Sequence, residues 1–233
     1  MNRGAFLAAS ATLASTARAA SQAIPGGAHL VERHSDFDEE KFASAVGRPA
    51  AIRQLYEAVA FHPGILNNIK NSFNGLQFGF GYPADRIAIV LGAHGPSAAF
   101  GYSDAVWQRY RLGEFFKLSD ADGTPVRSNV FLQAHASFNP SGSADDESGM
   151  YQDRSLQMLQ RRGLILLTCH TAVEEQAQAL FQRDFAPSGM TREQIAADIL
   201  THLIPGAVVV PAMVAAIAVL QATYRYTYLA PQL

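Results

Sequence analysis

Two kinds of hydrophobic pattern run along the chain. Short uninterrupted apolar runs bounded by turn residues read as strands buried on both faces, and stretches with apolar residues every three or four positions read as amphipathic helices. Ile87-Ala88-Ile89-Val90-Leu91, Leu164-Ile165-Leu166-Leu167 and Ala207-Val208-Val209-Val210 are the strand runs, entered from turn residues 81–85, Gly163 and Pro205-Gly206. A last strand is expected over 224–229, where Tyr224, Tyr226 and Tyr228 alternate with Arg225, Thr227 and Leu229. Helices are expected from Asp36, as cap, through Val46, over 65–76, 103–116, 155–162, 171–185 and 213–223, and after Thr191, whose capping-box partner is Gln194.

Residues 52–61 fit both patterns. Ile52, Leu55, Tyr56 and Val59 have helical spacing, whereas a strand would put Arg53, Leu55, Glu57, Val59 and Phe61 on one mixed face. Pattern alone favours helix here. Residues 117–153 break both periods: Ser, Asp, Gly, Asn and Pro dominate, so a long, largely surface connection open to proteolysis is expected. No charged residue occurs over 203–224, but Pro205, Gly206 and Pro211 argue for strand then helix instead of a membrane-spanning helix.

The first nineteen residues stand apart. Arg3, the uncharged run 5–16 and Ala17-Arg18-Ala19 have the layout of an export signal, which would make the protein periplasmic or otherwise exported with no membrane span after cleavage. Residues 20–35 read as a linker and 36–233 as one α/β domain with an insertion at 117–153. With 48% hydrophobic and 16% charged residues the chain can bury a full core. A formal charge of -2, with no cluster of Lys and Arg among aromatics, argues against nucleic acid as a partner. One cysteine excludes an internal disulfide and a Cys-rich zinc site. Gly79-Phe80-Gly81 precedes a strand and is no dinucleotide fingerprint, and no Walker loop, HExxH, G-x-S-x-G or EF-hand loop occurs, so no cofactor is expected.

The remaining chemistry gathers at expected strand ends. Cys169 closes its strand, and Thr171-Ala172-Val173-Glu174 matches a capping box that would start a helix just beyond it. Helix N-termini favour anions and are a setting for reactive thiols. His94 closes the strand at 87–93, His170 follows Cys169, Met213 follows Val210, and His62 follows Phe61 if 52–61 is a strand. In a parallel sheet these residues would share the carboxyl rim, where ligands of open α/β sheets bind. They suit thiolate chemistry, with Cys169 and His94 as catalytic candidates, or a soft metal such as copper held by some of His94, Cys169, His170, Met213 and His62. A third reading makes Cys169 an inert core residue of an oligomeric interaction protein.

Three stretches together resemble the exported branch of the DsrE/DsrF-like sulfur-relay family: 105–115 around Trp107-Gln108-Arg109-Tyr110, 159–169 from Leu159-Gln160-Arg161-Arg162 to Cys169, and 203–211 with Ile204-Pro205-Gly206. The likeness spans about residues 49–229. It implies a three-layer α/β/α fold with a mostly parallel five-stranded sheet, in which 52–61 becomes the first strand. It also implies a homo-oligomer, a trimer or hexamer, and a persulfide on the cysteine ending a central strand, exchanged with a donor or acceptor protein. Residues 117–153 depart from the compact members of that family.

Overall fold

The computed structural model describes residues 31–230; the expected export signal and most of the expected linker lie outside them. Five strands, β1 (Ile52–Ala58), β2 (Ile87–Ala93), β3 (Leu164–Cys169), β4 (Val208–Val210) and β5 (Thr227–Leu229), form one all-parallel sheet in the order β4-β3-β2-β1-β5. Every residue of β2 and β3 is buried, as continuous apolar runs at the centre of a covered sheet require.

Helices cover both faces, giving a three-layer α/β/α fold. In chain order they are α1 (Glu39–Val46), α2 (Pro63–Asn74), α3 (Asp104–Arg109), α4 (Leu112–Phe116), α5 (Leu156–Arg161), α6 (His170–Gln182), α7 (Arg192–Thr201) and α8 (Met213–Ala222). Successive strand residues point to opposite faces and so feed two cores. Leu55, Val90, Leu167 and Val210 pack with buried residues of α1, α3, α4, α6, α7 and α8. Tyr56, Ile89, Leu91 and Leu166 pack with α2 and α5.

Residues 52–58 are a strand, so the helical period there misleads. Leu55 and Tyr56 are both buried, but on opposite faces of the sheet, and side by side they imitate the apolar stripe of a helix. Seven residue pairs with β2 decide the outcome. The helix expected over 103–116 divides into α3 and α4 because Arg111 adopts a left-handed conformation at φ 47°. The break lets Trp107 and Tyr110 on one side, and Leu112 and Phe115 on the other, enter the same core. Asp38, not Asp36, caps α1, accepting from the Lys41 N–H at 2.9 Å. The expected Thr191–Gln194 capping box forms on α7.

Residues 117–153 contain no helix or strand, and most of them are exposed. They are nonetheless held in place by specific contacts. The Asn129 side-chain amide donates to the carbonyls of Phe100 and Tyr102 at 2.9 and 2.8 Å. Phe131 stacks on Phe61 with centroids 5.5 Å apart, inside a cluster that includes Phe100 and Trp107. Asp153 accepts from the backbone N–H groups of His135, Ala136 and Ser155.

Candidate functional site

The parallel sheet brings the carboxyl ends of β1, β2, β3 and β4 to one rim. The chain leaves β1 for α2 on one face, while the segment after β2 returns to α3 on the other. Adjacent strands whose connections diverge in this way create the crevice where α/β sheets bind ligands. Glu57 and His94 sit at that point. His94 continues β2 by one residue, its N–H donating to the Ala58 carbonyl at 3.0 Å. Its Nε2 lies 2.8 Å from Glu57 Oε1. A carboxylate only accepts, so the imidazole N–H is the donor. The other oxygen, Oε2, accepts from the Tyr228 hydroxyl on β5. That hydrogen bond, with lesser contributions from burial and the Glu57 charge, raises the phenol above its ordinary range.

Cys169 stands one strand away, on the same face and at the level of His94, one step beyond the paired residues Ala93 and Thr168. It is the N-cap residue of α6. Its Sγ accepts the N–H of Met213, the first residue of α8, at 3.3 Å. The starts of two helices therefore meet at one sulfur, where unsatisfied N–H groups concentrate positive potential. Behind it, the buried Tyr102 hydroxyl donates to Gln176 Oε1 at 2.9 Å, and Gln176 Nε2 donates to the Gly95 carbonyl at 2.5 Å. Burial, reinforced by Cys169, holds the Tyr102 phenol well above its ordinary range, so it remains a donor.

The thiol is covered. Cys169 is 5% exposed and Met213 1%. The Met213 thioether fills the space over Gly92, where an added Cβ would lie 2.8 Å from Sδ. Beside this cover, a cavity of about 280 Å³ lies against Val210, Pro211 and Ala212 at the start of α8.

The expected capping box after Cys169 does not form. α6 begins one residue earlier, and the Thr171 hydroxyl donates to the Pro211 carbonyl at 3.0 Å, tying α6 to the turn before α8. His170 turns along its own helix, with Nε2 3.8 Å from Glu174 Oε1 and a buried Nδ1 that has no hydrogen-bond partner among the described residues. Burial lowers the pKa of its imidazole, against an opposing pull from Asp36. His62 is the N-cap of α2, its Nδ1 accepting from the Gly64 N–H at 3.1 Å.

Cys169, Met213 and His94 thus share one face of the rim, but no hydrogen bond joins His94 to the thiol. His62 and His170 serve their own helices. Among the described residues, no group of three or more His, Cys, Asp and Glu side chains is arranged to hold a metal ion. No family model, curated protein or solved structure matches the chain. Sequence reasoning missed Glu57, Tyr228 and Tyr102 as members of this rim. The available signal was Glu57 itself, a carboxylate two residues beyond Leu55 and therefore on a core-facing side of its strand.

Proposed function

We propose that the protein handles sulfane sulfur on Cys169. The observation that supports this most is the place of Cys169 as N-cap of α6 with its Sγ accepting the first N–H of α8, so that two helix starts adjoin a lone sulfur at the rim of a parallel sheet. The resemblance of residues 159–169 to sulfur-relay proteins points the same way. In the proposed step the Cys169 thiolate attacks the outer sulfur of a persulfide donor. A new S–S bond forms on Cys169, the donor's S–S bond breaks, and the donor leaves as a thiolate carrying the electron pair. An acceptor thiolate removes the sulfur by the same exchange. The Met213 cover has to shift for either partner to reach Sγ, and the cavity beside Val210, Pro211 and Ala212 leaves room for the start of α8 to do so.

Near-complete burial of Cys169 favours a second reading, in which the thiol is core packing and the rim is inert. Intact-mass measurement of native protein after exposure to polysulfide separates the two. Sulfur carriage predicts a gain of one or more sulfur atoms, reversed by a thiol reductant and missing in Cys169→Ser. No gain, with Cys169 alkylated only after denaturation, establishes the packing role. The sulfur-carriage reading includes export and assembly into trimers or hexamers, the latter tested by light scattering on the purified protein.

A further inference from the structure

At the opposite, amino-terminal edge of the sheet a cavity of about 390 Å³ is lined by Arg48, Arg161 and Arg162 together with the rings of Phe73, Phe138 and Tyr151. Arg48 closes its floor, with Nη2 donating to the Ile87 and Gly163 carbonyls at the starts of β2 and β3, at 2.5 and 3.2 Å. Arg162 follows α5. Its guanidinium lies over Phe73 and Tyr151, 5.0 and 5.1 Å from the centroids, and Nη2 donates to Asn74 Oδ1 at 2.7 Å. Its Nη1 is shut off from solvent and has no hydrogen-bond partner among the described residues. None of the ion pairs among these residues involves Arg48, Arg161 or Arg162, and Asp85 is the only acid in the lining.

A half-buried guanidinium held by a neutral amide and two rings, with no ion pair among the described residues, lacks a counter-charge. Burial pulls Arg162 down to about 10, and burial, then repulsion from Arg154 and Arg162, lowers Lys70 nearby. Unpaired buried charges are costly, and planar guanidinium groups pair best with carboxylate or phosphate oxygens. The exposed ring of Phe138 adds an apolar wall beside those donors. We infer that this cavity binds a small organic oxyanion, with a carboxylate or phosphate head on Arg162 and Arg161 and an unsaturated body against the exposed ring of Phe138. The site is independent of Cys169, at the other end of the strands.

Calorimetric titration of the full chain with phenyl phosphate, benzoate, inorganic phosphate and benzyl alcohol tests the assignment. The two aromatic anions should bind, and the tighter of them identifies the preferred head. Inorganic phosphate should bind about tenfold or more weaker, for want of ring burial, and benzyl alcohol should give no heat. Arg162→Met should weaken the aromatic anions about 10- to 100-fold, as the loss of a charged hydrogen bond implies. It should leave the unliganded Tm unchanged or raised, because an uncompensated charge is gone. The exposed Arg161→Gln, which leaves the interior untouched, should also weaken binding and carries the test if Arg162→Met does not fold. No heat with either aromatic anion, binding unchanged in both variants, or benzyl alcohol binding as well as benzoate overturns the anion site. Inorganic phosphate binding as tightly as phenyl phosphate overturns the aromatic contact.

Discussion

Asp153 shows what a single polar side chain does in this molecule. Burial alone would raise its carboxyl, but the N–H groups of Ala136, Ser155 and His135 outweigh burial and hold it below its ordinary value. A carboxyl depressed in the native state contributes stability that is present above its unfolded pKa, about 3.9, and is lost as pH falls through the native value. Asp153→Ala leaves three backbone donors without their acceptor and should cost roughly 3 kcal/mol at neutral pH. Measured by urea denaturation, the difference between variant and wild type should shrink as pH falls from about 4 towards 2. A constant difference over that range would mean that shape and not charge secures the loop. Asp153 was not legible as an anchor in the sequence, because it lies in a polar stretch and its partners are main-chain groups eighteen and seventeen residues earlier.

At the scale of elements, α8 controls the rim and α4 controls the long connection. Met213→Ala keeps the main-chain N–H at Cys169 Sγ while removing the side chain packed over Gly92. It should cost about 3 kcal/mol as a cavity and speed native alkylation of Cys169 by about tenfold or more, as expected if the thioether is the barrier to reagents. An unchanged labelling rate would place the barrier elsewhere. On α4, a Cβ at Gly113 would lie 2.0 Å from the Val126 carbonyl oxygen and 2.6 Å from its nitrogen. Backbone of the connection cannot yield as a side-chain tip can, so Gly113→Ala should destabilise by at least about 2 kcal/mol. A Tm equal to wild type would show that 117–128 does not lie on α4 in solution. The expectation of a largely surface connection did not include this contact, because close approach is written into the sequence only as one glycine.

Across the whole molecule, the strands of the sheet centre were legible from their apolar runs, and the three-layer fold was what the family resemblance implied. The first strand was not legible from its own period, since pairing with β2 outweighs a local preference over so few residues. The rim was half legible: strand ends marked Cys169, His94 and Met213, but the partner each side chain chooses depends on rotamers and neighbouring strands. Hence His94 pairs with Glu57, 37 residues earlier on the neighbouring strand, and not with Cys169. The two Arg residues before Gly163 gave no sign of a cavity, because what distinguishes Arg162 is the missing partner. Among the described residues no helix is long and apolar enough to cross a membrane, so the apolar run at 203–224 resolves into β4 and α8. Export remains a proposal from Arg3 and Ala17-Arg18-Ala19. N-terminal sequencing of envelope-derived protein should begin at or near Ala20, and an intact Met1 on cytoplasmic protein would contradict it.

The most direct test of sulfur carriage is the state of Cys169 in protein recovered from its own cells without reductant. Cleavage after Arg162 and Arg183 releases residues 163–183, which hold the chain's one cysteine. Mass spectrometry of that peptide, after native alkylation, should show a population carrying one or more extra sulfur atoms between Cys169 Sγ and the label. Cys169 found only as a bare thiol, and labelled only once the protein is unfolded, would contradict the account and leave the residue as part of the core.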